Sequence, residues 1–361
     1  MVSLCRAVSL SIGSLLLLIT MSLSAQAQST KSLTDTLDVQ DITSLEITNQ
    51  YGDIVVSTWD RDEIGYDVQI TVVKDDSSAA DDLLDRLVYS VEEFNSTLTF
   101  DYEIEELNAG FFERLWSDIT LEIDQSAIQI DVELTLPSGL DLEITNKFGD
   151  ITIRDWEGDL TIKQKHGDVK VSGNVVSLRL DQSFGDADFD TVESARVDIR
   201  NVEFRAKTIS DFNIESHGSV INLGNADKLS IDSNKDDMSI DQVKKLKGSV
   251  DYGTFYIQDL VDEIQASLRL TDLTIKNIIS DSAIITIDQT NSEVEISVGK
   301  NAMELHATLE DGMLNVPKSD SDLETNIIDK KDNKRTITGA LGVAPKGKIT
   351  IIGKKGVVVI K

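Results

Sequence analysis

Four aspartates close an aromatic-or-His-Gly-Asp unit: Asp53, Asp150, Asp168 and Asp186, after Gly52, Gly149, Gly167 and Gly185. The last three glycines are 18 residues apart. A carboxylate that recurs at a fixed interval can accept hydrogen bonds from turn amides. It can also join its neighbours around a divalent cation, but a calcium site needs several converging oxygens. The calcium-binding nonapeptide Gly-Gly-x-Gly-x-Asp does not occur. Turn stabilisation is therefore the reading taken, with calcium as the alternative and no other cofactor or metal expected.

No catalytic constellation stands out. His166, His217 and His306 are the three histidines, and none has a second histidine at metal-ligand spacing. His166 and His217 precede a glycine, as do Phe148, Phe184 and Tyr252, so stacking at one common corner is expected of them. There is no Gly-x-Ser-x-Gly, phosphate loop or HExxH. Carboxylates are so abundant that a glycosidase pair drawn from sequence would be chance. Phe111, Phe112 and Trp116 form an apolar insert that offers a contact patch for a partner or glycan, with packing beneath a helix as the alternative.

These residues need elements to position them. Units such as Phe148-Gly149-Asp150-Ile151-Thr152-Ile153 and His166-Gly167-Asp168-Val169-Lys170-Val171 alternate apolar and polar residues, which is the period of a strand with one buried face. A second strand follows half a period later, at Leu160 and Ile162, then Leu178 and Leu180. A unit of two short strands cannot bury its apolar face alone, but a stack of such units at ~4.8 Å can. The expected fold is mainly β: a β-solenoid (β-helix) of ~18-residue two-strand repeats. Glycine marks the turns because positive φ is cheap there. Weaker copies continue at Gly218, Asp236, Gly253 and Asp272.

A small α+β domain with one helix is expected ahead of the repeats, over residues 28–137, to cap the first coil. The helix is placed over Asp75 to Glu93, with capping residues at its start and Leu83, Leu84, Leu87, Val88 and Val91 on one face. The repeats fill 138–329. A basic C-terminal hairpin cap fills 330–361, its turn at Gly353-Lys354-Lys355-Gly356.

The N-terminus reads as a secretory signal over residues 1–27. Arg6 is followed by an apolar run around Leu15 to Ile19, and Ala25-Gln26-Ala27 supplies the small-x-small cleavage pattern. Cys5, the only cysteine, lies ahead of that run, so it is no lipobox cysteine. The mature chain then has no cysteine and no disulfide. An exported protein follows, periplasmic, at the outer surface or secreted, with no transmembrane segment after cleavage. The chain carries 64 acidic and 34 basic residues, a formal charge of −30. Nine of the basic residues lie in 330–361 beside one acid, Asp332. So acidic a body argues against nucleic acid as a partner.

Taken together, Asn49-Gln50-Tyr51-Gly52-Asp53-Ile54, Asn146-Lys147-Phe148-Gly149-Asp150-Ile151, His166-Gly167-Asp168-Val169 and Phe184-Gly185-Asp186 resemble the bacterial secreted putative-adhesin family with a repeat β-helix domain, a domain of unknown function. The resemblance covers most of residues 40–361, and from Val202 onward the Gly-Asp is mostly lost. It implies a cell-envelope or surface setting and an adhesive role, and it brings no catalytic residues. The expectation is a non-enzymatic, monomeric binding scaffold whose partner is an envelope protein or a surface glycan. A periplasmic protein-docking module and a polysaccharide lyase-like β-helix enzyme are the alternatives.

Overall fold

A computed structural model describes residues 27–39, 41–104, 127–317 and 321–361. The chain is mainly β. Its N-terminal part contains β1 (Ala27–Asp38), β2 (Ser44–Thr48), β3 (Ile54–Trp59), β4 (Glu63–Lys74), α1 (Ser77–Arg86), β5 (Leu87–Phe94), β6 (Thr97–Ile104) and β7 (Ile128–Pro137). The central part runs through β8 (Asp141–Phe148), β9 (Ile151–His166), β10 (Val169–His217), β11 (Val220–Asn234), β12 (Asp237–Asp251) and β13 (Thr254–Arg269). It continues with β14 (Asp272–Ile278), β15 (Ile284–Thr290) and β16 (Glu293–Ile296). The C-terminal part holds β17 (Met303–Glu310), β18 (Met313–Asn315), β19 (Ser321–Asp329), β20 (Lys334–Leu341), β21 (Gly347–Lys354) and β22 (Val357–Ile360).

All of these strands join one large, mostly parallel sheet that does not close on itself. The long strands bend at corners, so each rung contributes a segment to two faces. Along their length β9 pairs in parallel with β10, β10 with β11, β11 with β12 and β12 with β13. Face one is the side formed by the segments that follow each corner, such as Ile151 to Ile153, Val169 to Val171 and Val220 to Leu223. Inward residues fall in register from rung to rung. Ala206 lies beside Leu223, then Ile240, Ile257, Ile275 and Ile296, and every one is buried. Such columns produce the period-two pattern, because each apolar residue meets its counterparts above and below.

The two ends are interleaved. At the N-terminal end, β2 lies between β6 and β8, and β3 lies between β7 and β9, all in parallel. The rung formed by β2 and β3 therefore sits one step inside the end, though it comes earlier in sequence. Leu45, Ile47, Ile54 and Val56 are buried there. Outside it, β4 pairs antiparallel with β7, β1 with β4, and β5 with β6. The helix packs on β1, β4 and β5, burying Ala80, Leu83 and Leu84 over the end of the core.

At the other end β21 inserts in parallel between β15 and β17, and β22 between β16 and β18. The segment around Gly353-Lys354-Lys355-Gly356 is thus a corner, not a hairpin turn. Lys355 takes a left-handed φ of 50°, and the strands on either side of it go to different faces. The antiparallel hairpin at this end lies upstream: β20 pairs with both β17 and β19.

The helix is also shorter than the sequence pattern suggests. Asp76 caps it, its Oδ1 accepting from the Ala79 amide at 2.9 Å, but it stops at Arg86. From Leu87 the alternation of Leu87, Tyr89 and Val91 fits a strand, and β5 forms a hairpin with β6. Asn95 and Ser96, at φ of 50° and 64°, supply the two left-handed residues that a tight hairpin turn needs. Between Ser44 and Trp59 the chain forms two strands, β2 and β3, separated at the Gly52 corner.

Two outcomes follow. Ile351, fully buried between β15 and β17, should cost about 2–5 kcal/mol when changed to Ala, measured by urea unfolding. Glu310 of β17 accepts from Lys354 of β21 at 2.7 Å, and this hydrogen bond holds its carboxyl below the usual range. Its stabilisation is present above the unfolded-state pKa and is lost as pH falls through the lowered one. The melting temperature of Glu310→Gln should therefore depend less on pH across the acid range than that of the parent.

Candidate functional site

The Gly-Asp corner is built by contact between rungs. Gly149 and Gly167 have φ of 116° and 133°, and an added Cβ would lie 2.1 Å from the carbonyl oxygen of the preceding corner glycine. Only glycine permits that approach. The aspartates then form a relay. Asp53 donates its amide to Asp131 Oδ1 at 3.0 Å, and Asp150 donates to Asp53 Oδ1 at 2.8 Å. Asp168 donates to Asp150 Oδ1 and Asp186 to Asp168 Oδ1, each at 2.9 Å. Each carboxylate thereby gains a charge-assisted bond that offsets repulsion from its neighbours. Asp186 ends the relay and accepts from Arg205 at 3.1 Å. Among the described residues, no group of three or more His, Cys, Asp or Glu side chains is placed to hold a metal ion.

Beside the relay runs a stack of near-parallel rings. Tyr51, Phe148, His166 and Phe184 follow one another at centroid distances of 5.8, 5.1 and 5.0 Å. His217 and Tyr252 do not share one slot, contrary to the reading from their glycines. His217 is in register with Asn234, and Asn234 with Asp251, one residue before Tyr252. Tyr252 instead lies under the Arg269 guanidinium at 4.9 Å. The cause is a change of period. Beyond Gly185 the next left-handed corner residues are Asn201, Gly218, Lys235, Tyr252 and Leu270; the first four are spaced by 17. His306 is exposed on β17.

Sequence reasoning missed the polar column under this corner. Asn49, Asn146, Gln164 and Gln182 are buried, each three residues ahead of a corner glycine. Asn146 and Gln164 donate to the carbonyls of Gly149 and other corner residues. The signal was present as Asn/Gln-x-x-Gly. Once the Gly-Asp pattern lapses, Asp236 takes over. It is 1 % exposed and accepts from Ser216 Oγ, Ser219 N, Ser233 Oγ and Asn234 N at 2.5–3.0 Å. One buried carboxylate here ties two successive corners together, Ser216 to Ser219 and Ser233 to Asp236.

The relay leads onto face one, where a groove of about 530 Å³ runs over five rungs. Its charged lining is Lys170, Asp188, Asp190, Arg205, Lys207 and Asp241, three of each sign. Arg205 pairs with Asp186, Asp188 and Glu203, and Lys207 with Asp190. Burial pulls the Arg205 pKa down, but hydrogen bonds to Asp188, Asp186 and Glu203 more than offset it and hold the guanidinium above its ordinary range. Asn222, Ser239 and Gly224 leave one end of the groove low. Phe111, Phe112, Trp116 and Ala25 lie outside the described residues. Ala27 opens β1, opposite Lys74.

No family model matches the chain, and no curated protein matches it. Several solved structures are similar to it. A putative adhesin from Parabacteroides distasonis ATCC 8503 is 13% identical, over 94% of this chain and 98% of that one, with a TM-score of 0.30. A putative lipid binding protein from the same organism is 11% identical over 92% and 96%, with a TM-score of 0.33. A putative cell adhesion protein from Clostridium sporogenes ATCC 15579 is 10% identical over 92% and 99%, with a TM-score of 0.19.

The two kinds of corner carboxylate should differ in weight. Asp150→Ala frees one amide that water can reach and should cost about 1 kcal/mol. Asp236→Ala strands several buried donors and should cost about 3 kcal/mol or more. Urea unfolding of both variants, with Asp150→Asn retaining an acceptor, checks the order.

Proposed function

We propose that the chain is a non-enzymatic exported protein of the cell envelope or surface, acting as an adhesin-like binding scaffold. In this reading the parallel rungs form a two-faced β-solenoid whose outer side chains are held in fixed columns. The observation that carries it is the pattern of cross-rung ion pairs. Lys207 pairs with Asp190, Lys228 with Asp211 and Lys244 with Asp227, all at a separation of 17, and Arg269 with Asp251 at 18. Exposed pairs of this kind add little stability. What they supply is order: long charged side chains fastened from rung to rung on an extended surface, which lowers the entropy cost of engaging a partner. No helix among the described residues is long and apolar enough to cross a membrane.

A periplasmic docking module is the second reading. The favouring feature is β1, which pairs on one side with β4 and has no strand partner on its other edge among the described residues. An extended segment of another protein could add there.

Protease treatment of intact cells carrying the tagged protein, with attachment assays on a deletion strain, tests both. The scaffold reading expects digestion on intact cells and reduced attachment after deletion. Protection until the outer layer is breached, with attachment unchanged, would reject it and favour docking.

A further inference from the structure

The groove on face one has a composition unlike the rest of the molecule. The chain carries a formal charge of −30, yet the charged lining of the groove balances. Two of its three cations are already engaged: Arg205 by three carboxylates and Lys207 by Asp190. A polyanion would be repelled by the acidic body, and a charged ligand seated at Arg205 or Lys207 in the middle of the groove would have to break these pairs. An uncharged, hydroxyl-rich ligand would not. Sugar hydroxyls can accept from the guanidinium and ammonium groups and donate to the carboxylates, leaving the pairs intact.

Shape agrees with this. The volume of about 530 Å³ lies within the range of small-molecule clefts, about 300–1,000 Å³. The five rungs extend for ~19 Å at ~4.8 Å each, long enough for a chain of several rings. The low end is floored by Asn222, Ser239 and Gly224. One rung further, in register with Ser239, stands Tyr256, 38% exposed, its hydroxyl donating to Gln258 at 2.5 Å. That ring continues the Asn222–Ser239 column one rung beyond the low end, while Arg205 and Lys207 flank the other side. An aromatic platform next to fixed polar groups is an arrangement that sugar rings fill well, since they have apolar faces and polar edges.

We propose that this groove binds a neutral oligosaccharide chain laid along the stack axis, with Tyr256 stacking on a terminal ring. Asn222, Ser239 and Asp241 bond its hydroxyls. The inference rests on the binding-scaffold reading and names its ligand class and site.

The test is calorimetric titration of the purified chain with short soluble oligosaccharides of glucose, mannose, galactose and xylose. Tyr256→Ala removes the platform and Ser239→Trp fills the floor. Both should weaken binding about tenfold or more, the scale of one lost aromatic contact, with the melting temperature unchanged. Binding that neither variant alters would place the sugar elsewhere and overturn the groove. No binding to any member of the panel would overturn the glycan inference. In that case, attachment of intact cells that still depends on the chain would leave the scaffold reading standing. Loss of both would remove the two together.

Discussion

Every rung must meet the next with its backbone groups opposed, and so every rung must use nearly the same length of chain. This constraint on parallel pairing governs the rest of the molecule. It makes the repeat close to 18 residues, then 17. It forces a tight corner at the same point of each rung, where glycine or a left-handed residue is needed. It brings like residues into columns, so a single substitution is felt by the rungs on both sides. The aspartates behind the glycines are tolerated as a column only because the rung spacing lets each carboxylate reach the amide of the next aspartate.

Much of this was legible in the sequence. Alternation at Ile151, Ile153, Leu160 and Ile162 showed strands with one buried face, and the spacing of Gly149, Gly167 and Gly185 showed the stack. These signals are local and repeat. The interleaved ends were not legible, because strand partnership is a long-range choice. Nothing near Ile349 or Val358 says that their neighbours are Ile285 and Val294. A glycine-flanked Lys-Lys reads equally as a hairpin turn or a corner, and only the distant partners decide. The helix end was ambiguous for a related reason: Leu87 and Val91 satisfy a helical face and a strand face at once. The buried amides were visible but quiet, since one Asn or Gln per repeat looks like ordinary surface polarity until burial is known.

The groove on face one shows a different limit. Its members come from five separate segments, between Lys170 and Asp241, and none forms a motif with its own neighbours in sequence. The repeat period would have been enough to place them side by side. It would not have shown which side chains fasten one another, because that depends on where the chain switches from 18 to 17 residues per rung. The lapse of the Gly-Asp pattern after Gly185, at first sight a decay of the repeat, is where that switch begins.

The interleaved C-terminal end also sets how the molecule bears load. A pull on Lys361 acts first on β22, which is hydrogen-bonded along both edges, to β16 and to β18. It cannot be peeled away like an outermost strand; both ladders must slide at once. Tension at Ala27 meets β1, which is held along one edge by β4. Force entering at Lys361 is thus shared between two ladders inside the sheet, whereas force entering at Ala27, the first described residue, is carried by one long ladder at its edge.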